Sequence, residues 1–370
     1  MTGHRLNLVV SEGMLVRDAP SGAMFDATGL TVAPGYIDLQ VNGAFGNDFT
    51  TDPKSMWRAA ARLPETGVTG FLPTLITAPD GTVEAAQAAL GRRPDGFVGA
   101  EPFGLHIEGP MLSYAKRGAH PPQYLVTHAS AHDWSPANGI SLVTLAPELP
   151  GALDVIRTLT DRGVVVSLGH SDASSIVAAE GANAGATFGT HLFNAMSLPT
   201  SREPGLAGFL LTDDRMRFGV INDDVHLDRR IVQLIWKAAG DRVILVTDSI
   251  AAMGIGDGTY RLGSLEITVN GMVASRVDGG LGGSVLTMDR AVRNLVEIAG
   301  CTLAEAVAAA TERPASLMNL SNRGTLKTGN RADVVLLDRE VNVVATIASG
   351  RVAYLSDPDR LSGEFHDAAQ

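Results

Sequence analysis

The chain begins with short apolar runs separated by Gly, Asp and Ser, at residues 5–10 (RLNLVV), 14–19 (MLVRDA) and 29–33 (GLTVA). Runs bounded by turn residues in this way predict strands. The same texture returns near the C-terminus, at residues 331–338, 341–349 and 351–355. Neither end alone holds enough strands for an independent sheet, so residues 1–33 and 332–370 are expected to pair into one composite β-sandwich.

Between these ends, over residues 34–331, apolar strand-like blocks alternate with amphipathic helix-like ones. Strands are predicted at 36–40, 69–74, 103–108, 141–146, 164–169, 186–191, 217–222 and 243–248. Blocks such as 55–65, 152–163 and 229–240 repeat apolar residues with helical spacing. Strands alternating with helices predict a parallel sheet with crossover helices, and eight such strands predict a (β/α)8 TIM-type barrel. Pro and Gly dominate the connections after the third and sixth strands, so the pattern leaves open whether a helix forms in either.

In a barrel of this kind the active site lies at the C-terminal ends of the strands. Those ends carry Gln40, Asn42, Thr74, Glu108, Glu148, His170, His191, Asn222, Asp223 and Asp248. Glu108, His170 and His191 come from three different predicted strands. One carboxylate and two imidazoles suit a catalytic zinc, since three protein ligands leave a position for a reactive water. His170 and His191 are 21 residues apart, one strand-helix-strand repeat, which puts both rings at the same height on neighbouring strands. A capping role remains open for each of two residues: His170 at the following helix and Asp248 at the following turn. Beside a metal, Asp248 would shuttle a proton.

Composition narrows the partners. With 45% hydrophobic and 19% charged residues the chain is too apolar to be disordered. Its 29 basic against 40 acidic residues give a net charge of -11, with no basic stripe, so nucleic acid is not an expected partner. An anionic ligand would have to be held by a few placed groups. Cys301, the one cysteine, cannot form an intramolecular disulfide and is expected as a buried thiol beside a helix at 303–310. The N-terminus lacks the pattern of a signal peptide, and no apolar run approaches the roughly 18 residues of a membrane span. A cytoplasmic protein is expected.

Six strings, PGYIDLQVNG (34–43), HIEGP (106–110), GHSDA (169–173), THLFNAM (190–196), VTDS (246–249) and GGSVLTM (282–288), occur in order along the chain. Together they resemble the N-acetylglucosamine-6-phosphate deacetylase family of the amidohydrolase superfamily. The resemblance implies a metal-dependent barrel with a small β-sandwich built from both termini. It implies Glu108, His170 and His191 as ligands of one divalent ion, zinc foremost, with iron, cobalt or manganese also able to occupy them. It implies Asp248 as the catalytic aspartate and His120, beside Ala119, as the group that polarises the acetyl carbonyl.

Asn194 and Ala195 match positions near the substrate phosphate, Arg202 and His226 its grip, and Leu281, Gly282 and Gly283 a loop over the sugar. Without the resemblance, Arg202 and His226 read as solvated loop residues. The family's phosphate-binding arginine can come from a partner subunit, which implies a functional homodimer. Gln40 and Asn42 stand where the wider superfamily carries a His-x-His pair. Amides are poor zinc ligands, so a second metal site is expected to be absent or weak.

The implied reaction is hydrolysis of N-acetylglucosamine 6-phosphate to glucosamine 6-phosphate and acetate, in amino-sugar catabolism and cell-wall sugar recycling. Two alternatives stand beside it: action on N-acetylgalactosamine 6-phosphate, and a non-catalytic sugar-phosphate-binding protein. Lys116 and Arg117 receive no role. The Gly-rich run at 250–258 is expected to be a mobile lid.

Overall fold

The computed structural model describes residues 8–18, 24–357 and 361–362. Eight strands form a parallel sheet in chain order: β1 (Tyr36–Val41), β2 (Val68–Ile76), β3 (Leu105–Glu108), β4 (Ile140–Leu145), β5 (Val165–Leu168), β6 (Phe188–Gly189), β7 (Arg217–Val220) and β8 (Val243–Leu245). A parallel bridge between Val41 and Ser249 closes the ring. Asp248 N–H donates to the Gln40 carbonyl at 2.9 Å and Asn42 N–H to the Ser249 carbonyl at 2.9 Å across the same seam. All of β1 and β2 is buried, as expected of strands covered on both faces, one by the barrel interior and the other by helices.

Helices at Met56–Arg62, Thr82–Leu90, Ala152–Asp161, Ser175–Asn183, Gly205–Thr212 and Arg229–Ala239 connect successive strands. The helix at Gly205–Thr212, after β6, buries Gly205 through Leu210 without a break. A helix apolar all round has no periodic face to detect. After β3 the connection carries three short 3-10 turns, Tyr114–Lys116, Pro122–Tyr124 and Pro136–Asn138, and no α-helix. Proline at the start of two of these turns suits a brief turn, because it supplies no N–H to a longer helix.

Arg242, just before β8, is a buried cation held by main-chain oxygens. Its guanidinium donates to the carbonyls of Leu210, Leu211, Asp213 and Met216 at 2.5–2.9 Å, satisfying the end of the helix after β6. Arg242→Met keeps the apolar stem but strands these acceptors, and is expected to cost about 3 kcal/mol of stability. Chemical denaturation would check this, and a loss under about 1 kcal/mol would contradict it.

Both ends of the chain meet in one sheet. Val334–Leu337 pairs antiparallel with Thr31–Pro34 on one side and Val343–Ala348 on the other, and Arg351–Leu355 completes four strands. Alternation divides the apolar run VVLL between two cores. Val335 and Leu337 pack into the barrel core, while Val334 and Leu336 join Leu15, Ala332 and Ala345 in a small core beside it. Residues 5–7 of the first expected strand lie outside the described residues, and Val9–Ser11 pairs with Met14–Val16. Cys301 is buried, its thiol 3.6 Å from the Leu295 carbonyl. Among the described residues, no helix is long and apolar enough to cross a membrane.

The segment after β8 differs from expectation. Ile250, Ala252 and Met253 are buried at 0–1% exposure, so the start of the expected lid is packed structure at the barrel mouth. An antiparallel three-stranded sheet follows: β9 (Gly258–Leu262), β10 (Leu265–Asn270) and β11 (Val273–Arg276). Its turns begin at Gly263 and Gly271, whose φ values of 56° and 58° are those that two-residue hairpin loops require. Leu262, Ile267, Val269 and Ala274 seal this sheet onto Ile76 and Ile250.

Candidate active site

A cavity opens at the C-terminal ends of the strands, lined by residues that include Asn42, Glu108, His120, His170, His191 and Asp248. His170, His191 and Asp248 each have left-handed backbone, with φ of 48°, 29° and 50°. Such conformations are costly for side-chain-bearing residues and cluster where function fixes them. The strand's alternation breaks at each one.

Glu108 lies at the centre of the site. Its Oε1 is 3.2 Å from Nε2 of both His170 and His191, which are 3.0 Å from each other. Four-coordinate zinc with bonds of about 2.0–2.1 Å separates its ligand atoms by roughly 3.3 Å, so three donor atoms this close fit one face of such a site. His170 Nδ1–H donates to the Lys116 carbonyl at 2.8 Å, which leaves the Nε2 lone pair for a metal. Lys116 thus serves the site through its main chain, while its ammonium pairs with Asp172 at 3.3 Å. The Arg117 guanidinium stacks on the Tyr114 ring.

His120 forms a second close group with Glu108 and His170. Its Nδ1, however, accepts the Thr77 backbone N–H at 3.1 Å, so in the neutral ring the proton sits on Nε2. That Nε2–H, 3.6 Å from Glu108 Oε2, is a donor facing the cavity and cannot also be a metal ligand. Tautomer chemistry therefore favours His191 over His120 as the third ligand.

Protonation follows the same arrangement. Burial alone would raise the Glu108 carboxyl, but the close imidazoles of His120, His170 and His191 outweigh it and hold it well below the usual range. Burial, aided by the nearby His120, lowers His170 to about 4. Neutral imidazole and ionised carboxylate are the forms that bind a metal. His191 is desolvated too, yet the Glu108 carboxylate prevails and raises it, so there a proton competes with a cation. Burial, reinforced by the Glu108 charge, pushes Asp248 up to about 6. Its Oδ1 accepts from Asn42 Nδ2 at 2.6 Å rather than capping the turn that follows. His170 caps no helix either, because Ser174 caps the next one.

Of the residues expected to bind substrate, Ala119, His120, Asn194, Ala195, His226, Leu281 and Gly283 line the cavity. Arg202 and Gly282 are not among its lining residues. Arg202 is exposed, in the loop before the helix at Gly205–Thr212. Gly282 faces away toward the sheet β9–β11, where a Cβ would run into the Ile267 side chain. His226 Nδ1–H donates to Asp223 Oδ2 at 2.8 Å, which fixes its ring.

Other strand-end residues support the walls. Glu148 accepts from Ser171 Oγ at 2.7 Å and from the Asp172 N–H at 2.6 Å. Asn222 Nδ2 donates to the Ala291 carbonyl at 3.0 Å. Ile76, Gly118 and Leu262 also line the cavity without having been singled out in the sequence. For Leu262 a usable signal was the alternation on either side of Gly263.

A closed parallel barrel with carboxylate and imidazole at its strand ends defines a metal-dependent hydrolase of the amidohydrolase kind. The amidohydrolase family model matches residues 31–353, and the chain belongs to that family. Within it, the chain is 40% identical over 354 residues to the Homo sapiens N-acetylglucosamine-6-phosphate deacetylase, covering 90% of this chain and 86% of that protein. An N-acetylgalactosamine-6-phosphate deacetylase of Escherichia coli O157:H7 is 37% identical over 330 residues, 87% of each chain.

Among solved structures, N-acetylglucosamine-6-phosphate deacetylase from Pasteurella multocida superposes with a TM-score of 0.87 at 30% identity, covering 93% of this chain and 94% of that one. A mutant of the Mycobacterium smegmatis enzyme in complex with N-acetyl-D-glucosamine-6-phosphate gives a TM-score of 0.82 at 32% identity, covering 94% of each.

Proposed function

We propose that the protein hydrolyses the acetamide of N-acetylglucosamine 6-phosphate to glucosamine 6-phosphate and acetate, a step of amino-sugar catabolism and cell-wall sugar recycling. The observation that carries the reading is the meeting of Glu108 Oε1, His170 Nε2 and His191 Nε2 within 3.2 Å of one another, beside a cavity that Asp248 and His120 also line. Those three residues would hold one divalent ion, zinc foremost. When bound, such an ion lowers the pKa of water and polarises a carbonyl.

The chain's own groups handle the protons. Asp248 takes the proton that water loses as its oxygen bonds to the acetyl carbon. His120 Nε2–H donates to the acetyl oxygen as negative charge develops there. Asp248 then returns the proton to the sugar nitrogen as the C–N bond breaks, so the carboxylate is regenerated and one water is consumed. Asn194, Ala195, Leu281 and Gly283 shape the sugar subsite, with Ala119 beside His120. His226, fixed by Asp223, faces the phosphate. The exposed Arg202 grips a phosphate from across a homodimer contact, and Gly282 supports the loop over the sugar. The reading includes a cytoplasmic setting, with residues 1–33 and 332–370 forming one unit beside the barrel of residues 34–331.

Acetate release would be followed on the gluco and galacto sugar phosphates, before and after chelation. Release is expected to be faster on the gluco substrate, to stop after chelation and to return on adding a divalent ion. Release that ignores the chelator would sink the metal assignment. Faster galacto turnover would shift the substrate to N-acetylgalactosamine 6-phosphate.

A further inference from the structure

In the sequence, Gln40 and Asn42 stand out only as residues too weak to bind a second metal. In the fold both are buried, at 2% and 1% exposure, at the end of β1. Gln40 Nε2 donates to Glu108 Oε1 at 3.1 Å. Asn42 Nδ2 donates to Asp248 Oδ1 at 2.6 Å. The amide of Asn42 is not free to turn over, because its oxygen would then oppose an ionised carboxylate at that distance. With Oδ1 engaged, Oδ2 is the Asp248 oxygen left for the cavity.

We propose that Gln40 and Asn42 are positioning residues with separate tasks. Asn42 holds Asp248 so that Oδ2 carries the proton, and Gln40 holds the Glu108 carboxylate against the two imidazoles. The part assigned to Asn42 rests on the reaction proposed above. The part assigned to Gln40 concerns metal affinity and is measured without substrate. A role in packing alone would give the two residues no such division.

The test uses Asn42→Ala, Asn42→Ser and Gln40→Ala in the full chain. Serine preserves more of the volume, but its hydroxyl is too short to span to Asp248. Steady-state kinetics on N-acetylglucosamine 6-phosphate at saturating zinc are paired with zinc affinity by chelator competition, and with thermal melts to verify folding. Both Asn42 variants are expected to lose about tenfold or more in kcat, with KM and zinc affinity within about threefold of the parent. Gln40→Ala is expected to bind zinc about tenfold or more weakly, as loss of a group orienting a ligand does.

Folded Asn42 variants that keep their kcat, or that lose kcat and zinc affinity together, overturn the first assignment. Unchanged zinc affinity in Gln40→Ala overturns the second. A parent protein that releases no acetate refutes the reaction itself and the Asn42 assignment with it, while the Gln40 result still stands or falls on zinc affinity.

Discussion

Asp248→Asn is expected to bind metal and sugar phosphate as the parent does and to turn over about a thousandfold more slowly. The substitution is isosteric, and the oxygen of the new amide can still accept from Asn42, which in the parent donates to Asp248 at 2.6 Å. What disappears is the ability to take a proton from water and return it to the departing nitrogen. Among the described residues lining the cavity the other carboxylate is Glu108, which is surrounded by three imidazoles and held ionised by their proximity. Acetate release in a single turnover, with metal content measured on the same sample, would separate lost chemistry from lost binding. A variant within about tenfold of the parent rate would refute the role.

Glu108→Gln is expected to abolish activity for a different reason, by releasing the metal. Glu108 supplies the only carboxylate among the three proposed ligands, and its oxygen lies 3.2 Å from both ring nitrogens. An amide of the same size offers a weak neutral oxygen and no charge to balance a dication. In the parent, zinc at about one hundred times its dissociation constant should add about 2.7 kcal/mol of stability through binding to the folded state alone. In the variant that increment should vanish across the same titration. Stoichiometric zinc retained by Glu108→Gln through gel filtration would show that the ion is held elsewhere.

The two substitutions differ in how far the sequence pointed to them. Glu108, His170, His191 and Asp248 were legible because each ends an apolar strand block, and the barrel brings strand ends together whatever lies between them. Leu262 was not singled out, although the alternation around Gly263 signals a hairpin. The helix after β6 was hidden because its successive positions Gly205 through Leu210 are all buried, which erases the contrast that periodicity needs. Lys116 contributes through a carbonyl, which no side-chain pattern can report.

The sequence by itself determined the eight-strand alternation, the paired strands at both ends and the list of polar groups at the strand ends. These follow from local periods of two and 3.6 residues and from the identity of the residue at which each run stops. Only the tertiary structure decided which partner each group meets. It put the Asn42 amide on Asp248, 206 positions away, fixed the His120 proton on Nε2 by giving Nδ1 to Thr77, and left Arg202 outside the cavity lining. Those assignments depend on which donor meets which acceptor across closed strands. A pattern along one chain does not carry that information, because hydrogen bonds are set by distance and direction in space.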